Sequence, residues 1–113
     1  MATIPLEDCF TDILGKTQRG LKLSDEVMAK TAGITVDELL RAKGGEINEP
    51  VLRQLAGALG LGPSRIVDSA RKAWQPQPVQ VRGLAQFNTP YQDMAVNSYL
   101  AWHPQDKEAV AFD

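Results

Sequence analysis

Up to about residue 75 the apolar positions recur every three or four residues, the period of helices packed on one face. Leu6, Phe10, Ile13 and Leu14 predict a first helix with Pro5 in its first turn and Gly20 at its end. Leu21 and Leu23 are expected to tuck the following connection into the core. Ser24 can cap a second helix, with Asp25 and Glu26 in its first turn, Val27 and Met28 inward, and Gly33 supplying the left-handed residue beyond its end. Thr35-Val-Asp-Glu38 has capping-box spacing and opens a third helix, in which Leu39 and Leu40 are expected to be buried and which Gly44-Gly45 stops. Asn48 caps a fourth, with Pro50 in its first turn and an apolar stripe of Val51, Leu52, Leu55, Ala56 and Leu59 ending at Gly60. Pro63 starts a fifth. There Ile66, Val67, Ala70 and Trp74 share one face, which predicts that Trp74 closes the bottom of the core.

After residue 75 the texture changes. Gln75-Pro-Gln-Pro78 blocks helix continuation and favours an extended linker, and six of the seven aromatic residues lie in the last forty positions. Met94, Val96, Leu100 and Trp102 fall on alternate positions of a strand, His103 to Lys107 reads as a turn, and Glu108 to Phe112 as a second strand. Residues 79–88 can supply a third. The expected organisation is therefore mainly α: a five-helix domain over residues 1–75, then a Pro-containing linker and a short C-terminal β-strand appendage over 76–113.

Composition narrows the function classes. The chain has 113 residues, 43% hydrophobic and 23% charged, enough for one compact domain plus an appendage and outside the range of disordered chains. No apolar run approaches a membrane span, and MATIPLEDCF carries acids where a secretory leader carries lysines, so a cytoplasmic location and no membrane partner are expected. Cys9, the single cysteine, sits beside Phe10 and reads as a small buried hydrophobe. The formal charge is −2, and residues 1–75 carry ten basic and ten acidic side chains. That balance does not advertise nucleic acid, whose phosphates are held by a basic excess.

Arg19-Gly-Leu-Lys-Leu-Ser-Asp-Glu-Val-Met-Ala-Lys-Thr-Ala-Gly-Ile34, the glycine pair closing the third helix and Leu55-Ala-Gly-Ala-Leu-Gly-Leu61 together resemble the Cro and phage-repressor helix-turn-helix family over about residues 8–73. The resemblance implies a lambda-repressor-like fold, and duplex DNA as a partner of a transcriptional regulator. It places Asp25, Lys30, Thr35, Val36, Asp37, Glu38, Arg41 and Lys43 on the DNA-binding surface, the third helix lying in the major groove. The departures are Asp25, where the family usually has glutamine, and Val36, Asp37 and Glu38, a poor set of base readers that turns carboxylates toward phosphates. Arg41 and Lys43 are the expected phosphate contacts, with Lys16, Arg19, Lys22 and Lys30 near them in sequence. The rival reading is a protein-interaction module; cyanate lyase has an N-terminal domain that looks like this fold and does not read DNA.

The stretch from Phe87 to Trp102, with Glu108 to Asp113, is similar to the opening strands of metallo-β-lactamase-fold hydrolases, and the resemblance implies the N-terminal part or a truncated relative of a longer protein. The metal-binding histidines and aspartates of that family have no counterpart here. His103 is the one histidine, in a turn before Pro104, and a zinc site takes three or four ligands. There is no phosphate-binding Gly-rich loop and no nucleophile with a histidine base. Glu7, Asp8 and Asp12 are expected on successive turns of the first helix, where its dipole accounts for them. No cofactor, no metal and no enzyme activity are expected. Short strands cannot bury an apolar face alone, so a homodimer through the C-terminal strands is expected.

Overall fold

The structure, a computed structural model, describes residues 6–92 and 94–113. Five helices are followed by a small three-stranded antiparallel sheet. The chain divides into two compact units: Asp8–Trp74 carries the helices, while Leu6 and Glu7 belong with Gln75–Asp113, which carries the strands.

The helices are α1 (Phe10–Gly20), α2 (Asp25–Ala32), α3 (Val36–Lys43), α4 (Glu49–Leu59) and α5 (Pro63–Ala70). The starts of α2, α3 and α4 follow side-chain chemistry. Ser24 Oγ accepts the Val27 N–H at 3.2 Å, Asn48 Oδ1 accepts that of Val51, and Thr35 and Glu38 exchange both bonds of a capping box. Their ends share one closure, in which an N–H beyond the helix reaches back five residues: Leu23 to Gln18, Ile34 to Ala29, Glu46 to Arg41, Leu61 to Ala56 and Ala73 to Asp68. The motif needs a left-handed residue before its closing N–H. Gly33, Gly45 and Gly60 fill three of these positions, and Lys22 and Lys72 fill the other two. Leu23, Ile34 and Leu61, brought back by the closures, then pack against the core. That core centres on the fully buried Leu14, Met28, Leu39, Leu52 and Leu55, with Ile66, Val67 and Ala70 from α5.

Several expectations are corrected here. α1 begins at Phe10, because the Asp12 carboxylate takes both the Cys9 N–H (3.0 Å) and the Cys9 thiol proton (3.1 Å) and fixes the N-cap there. Leu6, Glu7 and Asp8 thus precede the helix, Cys9 is exposed and not buried, and Pro5 lies outside the described residues. Leu21 is exposed because the Lys22 turn leaves only Leu23 directed at the core. α2 and α3 have eight residues each and fill the core with Met28, Ala29, Ala32, Leu39 and Ala42, which leaves Val27 and Leu40 about half exposed. Trp74 does not close the core. α5 ends at Ala70, three residues before its closure at Ala73, and Trp74 stands 56% exposed.

In the second unit β1 (Leu84–Tyr91), β2 (Met94–Trp102) and β3 (Ala109–Phe112) pair in the order β1-β2-β3. Leu84 lies opposite Ala101 and Tyr91 opposite Met94, while Tyr99 lies opposite Phe112 and Trp102 opposite Ala109. β1 starts later than position 79 because the Leu84 N–H turns back to the Val81 carbonyl, with Gly83 at φ 84 between them. The turn after β2 is closed by His103 N–H to the Glu108 carbonyl at 2.8 Å and Lys107 N–H to the His103 carbonyl at 2.9 Å. The expected one-sided burial of β2 is not seen. Met94 is 60% exposed, and residues from both faces are half-buried, because among the described residues no second layer of this unit covers either face of the sheet. Among the described residues, no helix is long and apolar enough to cross a membrane.

Candidate nucleic-acid interface

The eight residues placed on a DNA surface by the sequence lie on α2, on α3 and on the turn between them. α2 ends at Gly33 in the left-handed conformation (φ 72), and Thr35 caps α3 two residues later, so the two helices meet across a short turn. The question for binding is which polar groups of this surface are free to meet a ligand.

Most are already engaged. Asp25 Oδ1 accepts the Lys43 ammonium at 2.8 Å and the Gln18 amide at 2.7 Å, and the same Gln18 amide donates to the Leu23 carbonyl at 3.2 Å. This clasp ties α1, α2 and α3 together around Gln18, the one buried polar side chain among the described residues. The hydrogen bonds from Lys43 and then Gln18 hold the Asp25 carboxyl below its ordinary value. Asp25 and Lys43, paired with each other, thus offer a duplex little net charge. Glu38 is spent on the α3 cap, its carboxylate accepting the Thr35 N–H at 2.8 Å while Thr35 Oγ1 accepts the Glu38 N–H at 3.1 Å. Arg41 lies 3.3 Å from Asp37 and 3.7 Å from Glu46.

What stands outward on α3 is Val36, Asp37, Leu40 and Arg41. Val36 and Leu40 are one turn apart, as are Asp37 and Arg41, so an apolar row runs beside a self-neutralised one. Val27 on α2 and Ile47 after α3 are also about half exposed. Lys30 on α2 is exposed, as is Lys22 in the turn after α1. Lys16, named as a nearby cation, is paired with Asp8 at 2.7 Å.

Two features could not be anticipated from the residue pattern. Gln18 falls at an apolar-face position four residues after Leu14, which is the only sign that a polar group had to be satisfied inside. The exposure of Leu40 beside the buried Leu39 depends on how α3 is rotated against α4, which periodicity over eight residues does not fix.

The other candidate residues lie apart. Cys9 caps α1 with its thiol on Asp12, and His103 Nδ1 lies 3.2 Å from Asp106 in the turn before β3. Among the described residues, no group of three or more His, Cys, Asp or Glu side chains is gathered as a metal ion would need. Comparisons with protein-family models, with curated proteins and with solved structures gave no match for this chain.

Proposed function

We propose that the helical unit is a lambda-repressor-like helix-turn-helix module whose α3 docks a protein partner, and that it has no catalytic role. The observation that supports this reading is the state of α3. Both of its cations, Arg41 and Lys43, are balanced by carboxylates of the same surface, while Val36 and Leu40 stand exposed one turn apart. An interface that excludes water around a few apolar anchors suits such a face, whereas a duplex needs uncompensated positive charge and base-reading amides or guanidinium groups.

The second reading, binding of duplex DNA as a transcriptional regulator, draws on the α2–turn–α3 arrangement and on Lys22 and Lys30, which carry no ion pair among the described residues. Those lysines would touch phosphate, which gives weak and salt-dependent binding with no sequence preference. Titration of the full chain with random duplex, and with duplex selected from a random pool, at two salt concentrations separates the two. The docking reading expects no enrichment in the pool and binding that disappears at the higher salt. An enriched sequence whose complex weakens in Arg41→Ala and survives the higher salt would replace it with DNA recognition.

A further inference from the structure

We propose that Glu7 guards an open strand edge: its carboxylate holds the half of the β2 edge that β3 does not reach, and so keeps β2 from pairing with a strand of another copy of the chain.

The uncovered half follows from strand length and alternation. β2 runs for nine residues and β3 for four, and their register sets Tyr99 against Phe112 and Trp102 against Ala109. β3 therefore covers only the C-terminal half of β2. The Trp102 N–H donates to the Gly83 carbonyl at 2.8 Å, so even-numbered residues of β2 turn their backbone groups to β1 and odd-numbered ones to the other edge. Tyr99 and Ala101 meet β3 there. Ala95 and Asn97 lie beyond its end, on a stretch of edge that faces no strand among the described residues. Such an edge is a template for another chain, and Met94-Ala-Val-Asn-Ser98 has no charge and no proline of its own to discourage one.

The discouragement comes from the segment before α1. The Asn97 N–H donates to the Glu7 carboxylate, across ninety positions of sequence. Leu6 and Glu7 belong to the same compact unit as the strands, and Leu6 lines a cavity there with Val79, Val81 and Tyr99, so an apolar side chain as well as a charged one holds the segment beside β2. A carboxylate suits the role. It accepts the Asn97 bond but has no N–H with which to continue a ladder. An incoming strand has to displace it, or bring carbonyl oxygens up against its negative charge.

The test is Glu7→Ala in the full chain, read by amide hydrogen exchange and by light scattering over a concentration series. Exchange at Asn97 should quicken roughly tenfold, the loss of one charge-assisted hydrogen bond, while Tyr99 and Ala101, held by β3, keep their rates and show that the sheet is intact. The average mass should rise with concentration to roughly twice that of the natural chain or more. Adding Ala95→Pro, which removes an outward donor from the same stretch of edge, should return the mass to that of the natural chain. An unchanged Asn97 rate would overturn the contact. A faster rate with no change in mass, or an association that survives Ala95→Pro, would overturn the guarding role.

Discussion

Lys22 and Lys72 occupy left-handed backbone, at φ 56 and φ 52, in positions where the closures after α2, α3 and α4 use glycine. A side chain with a Cβ is strained there by roughly 1 kcal/mol. Lys22→Gly is therefore expected to stabilise the helical unit by roughly 0.5 kcal/mol after the added freedom of the unfolded chain is subtracted, and chemical denaturation checks it. A loss of more than that amount would mean that the lysine side chain contributes an interaction of its own. Asp25 carries a pH prediction. Its folded-state value lies below the ordinary 3.8 through its bonds from Lys43 and Gln18. The clasp's contribution is thus present above about 3.8 and lost as pH falls through the lower folded value. Carboxyl-resolved NMR titration should show Asp25 moving up toward its ordinary value in Lys43→Met, and an unchanged midpoint would refute the pairing.

The caps at Ser24, Thr35 and Asn48, the left-handed Gly33, the stop at Gly60 and the stripe of α4 are elements whose physics is local, and all of these were legible in the sequence. The edges that moved depended on partners a helical or alternating pattern does not name. Asp12 set the start of α1, and the turn back to Val81 set the start of β1. That last turn supplies a test. A Cβ at Gly83 would lie 2.5 Å from the Trp102 carbonyl oxygen, at a φ of +84 that side chains rarely adopt. Gly83→Ala should separate the start of β1 from the end of β2 and abolish amide-exchange protection at Trp102, at a stability loss of roughly 2 kcal/mol or more. Retained protection would show that the backbone there can shift to admit a methyl group.

Among the described residues, the helical unit holds the dense core and the strands hold exposed surface, and the contrast sets where substitutions act. Leu52 is fully buried in α4, and Leu52→Ala should cost roughly 2–5 kcal/mol, enough to unfold much of a unit this small near physiological temperature. Thermal melts followed by far-ultraviolet circular dichroism measure that loss. Val36→Gln with Leu40→Gln, both exposed, should leave the same melt within about 0.5 kcal/mol while reducing binding of a dye that reports apolar surface. A large destabilisation would place those side chains in the fold and not at its face.

Periodicity, caps and glycine punctuation determined five helices, the two strands that became β2 and β3, and the break between the two regions, because each pattern is local, while the third strand was left open over residues 79–88 and formed at Leu84–Tyr91. The tertiary structure alone decided which of two adjacent leucines, Leu39 or Leu40, is buried, since that depends on the rotation of α3 against its neighbours. Arg41 has Asp37 one turn away on its own helix, but the tertiary structure alone decided that Lys43, the other cation expected to meet phosphate, has an acid of α2 as its partner. Lys43 and Asp25 are eighteen positions apart in the chain and meet only because α2 and α3 pack together. Charge neutralisation between helices is a property of distances in space, and no local pattern along the sequence encodes it.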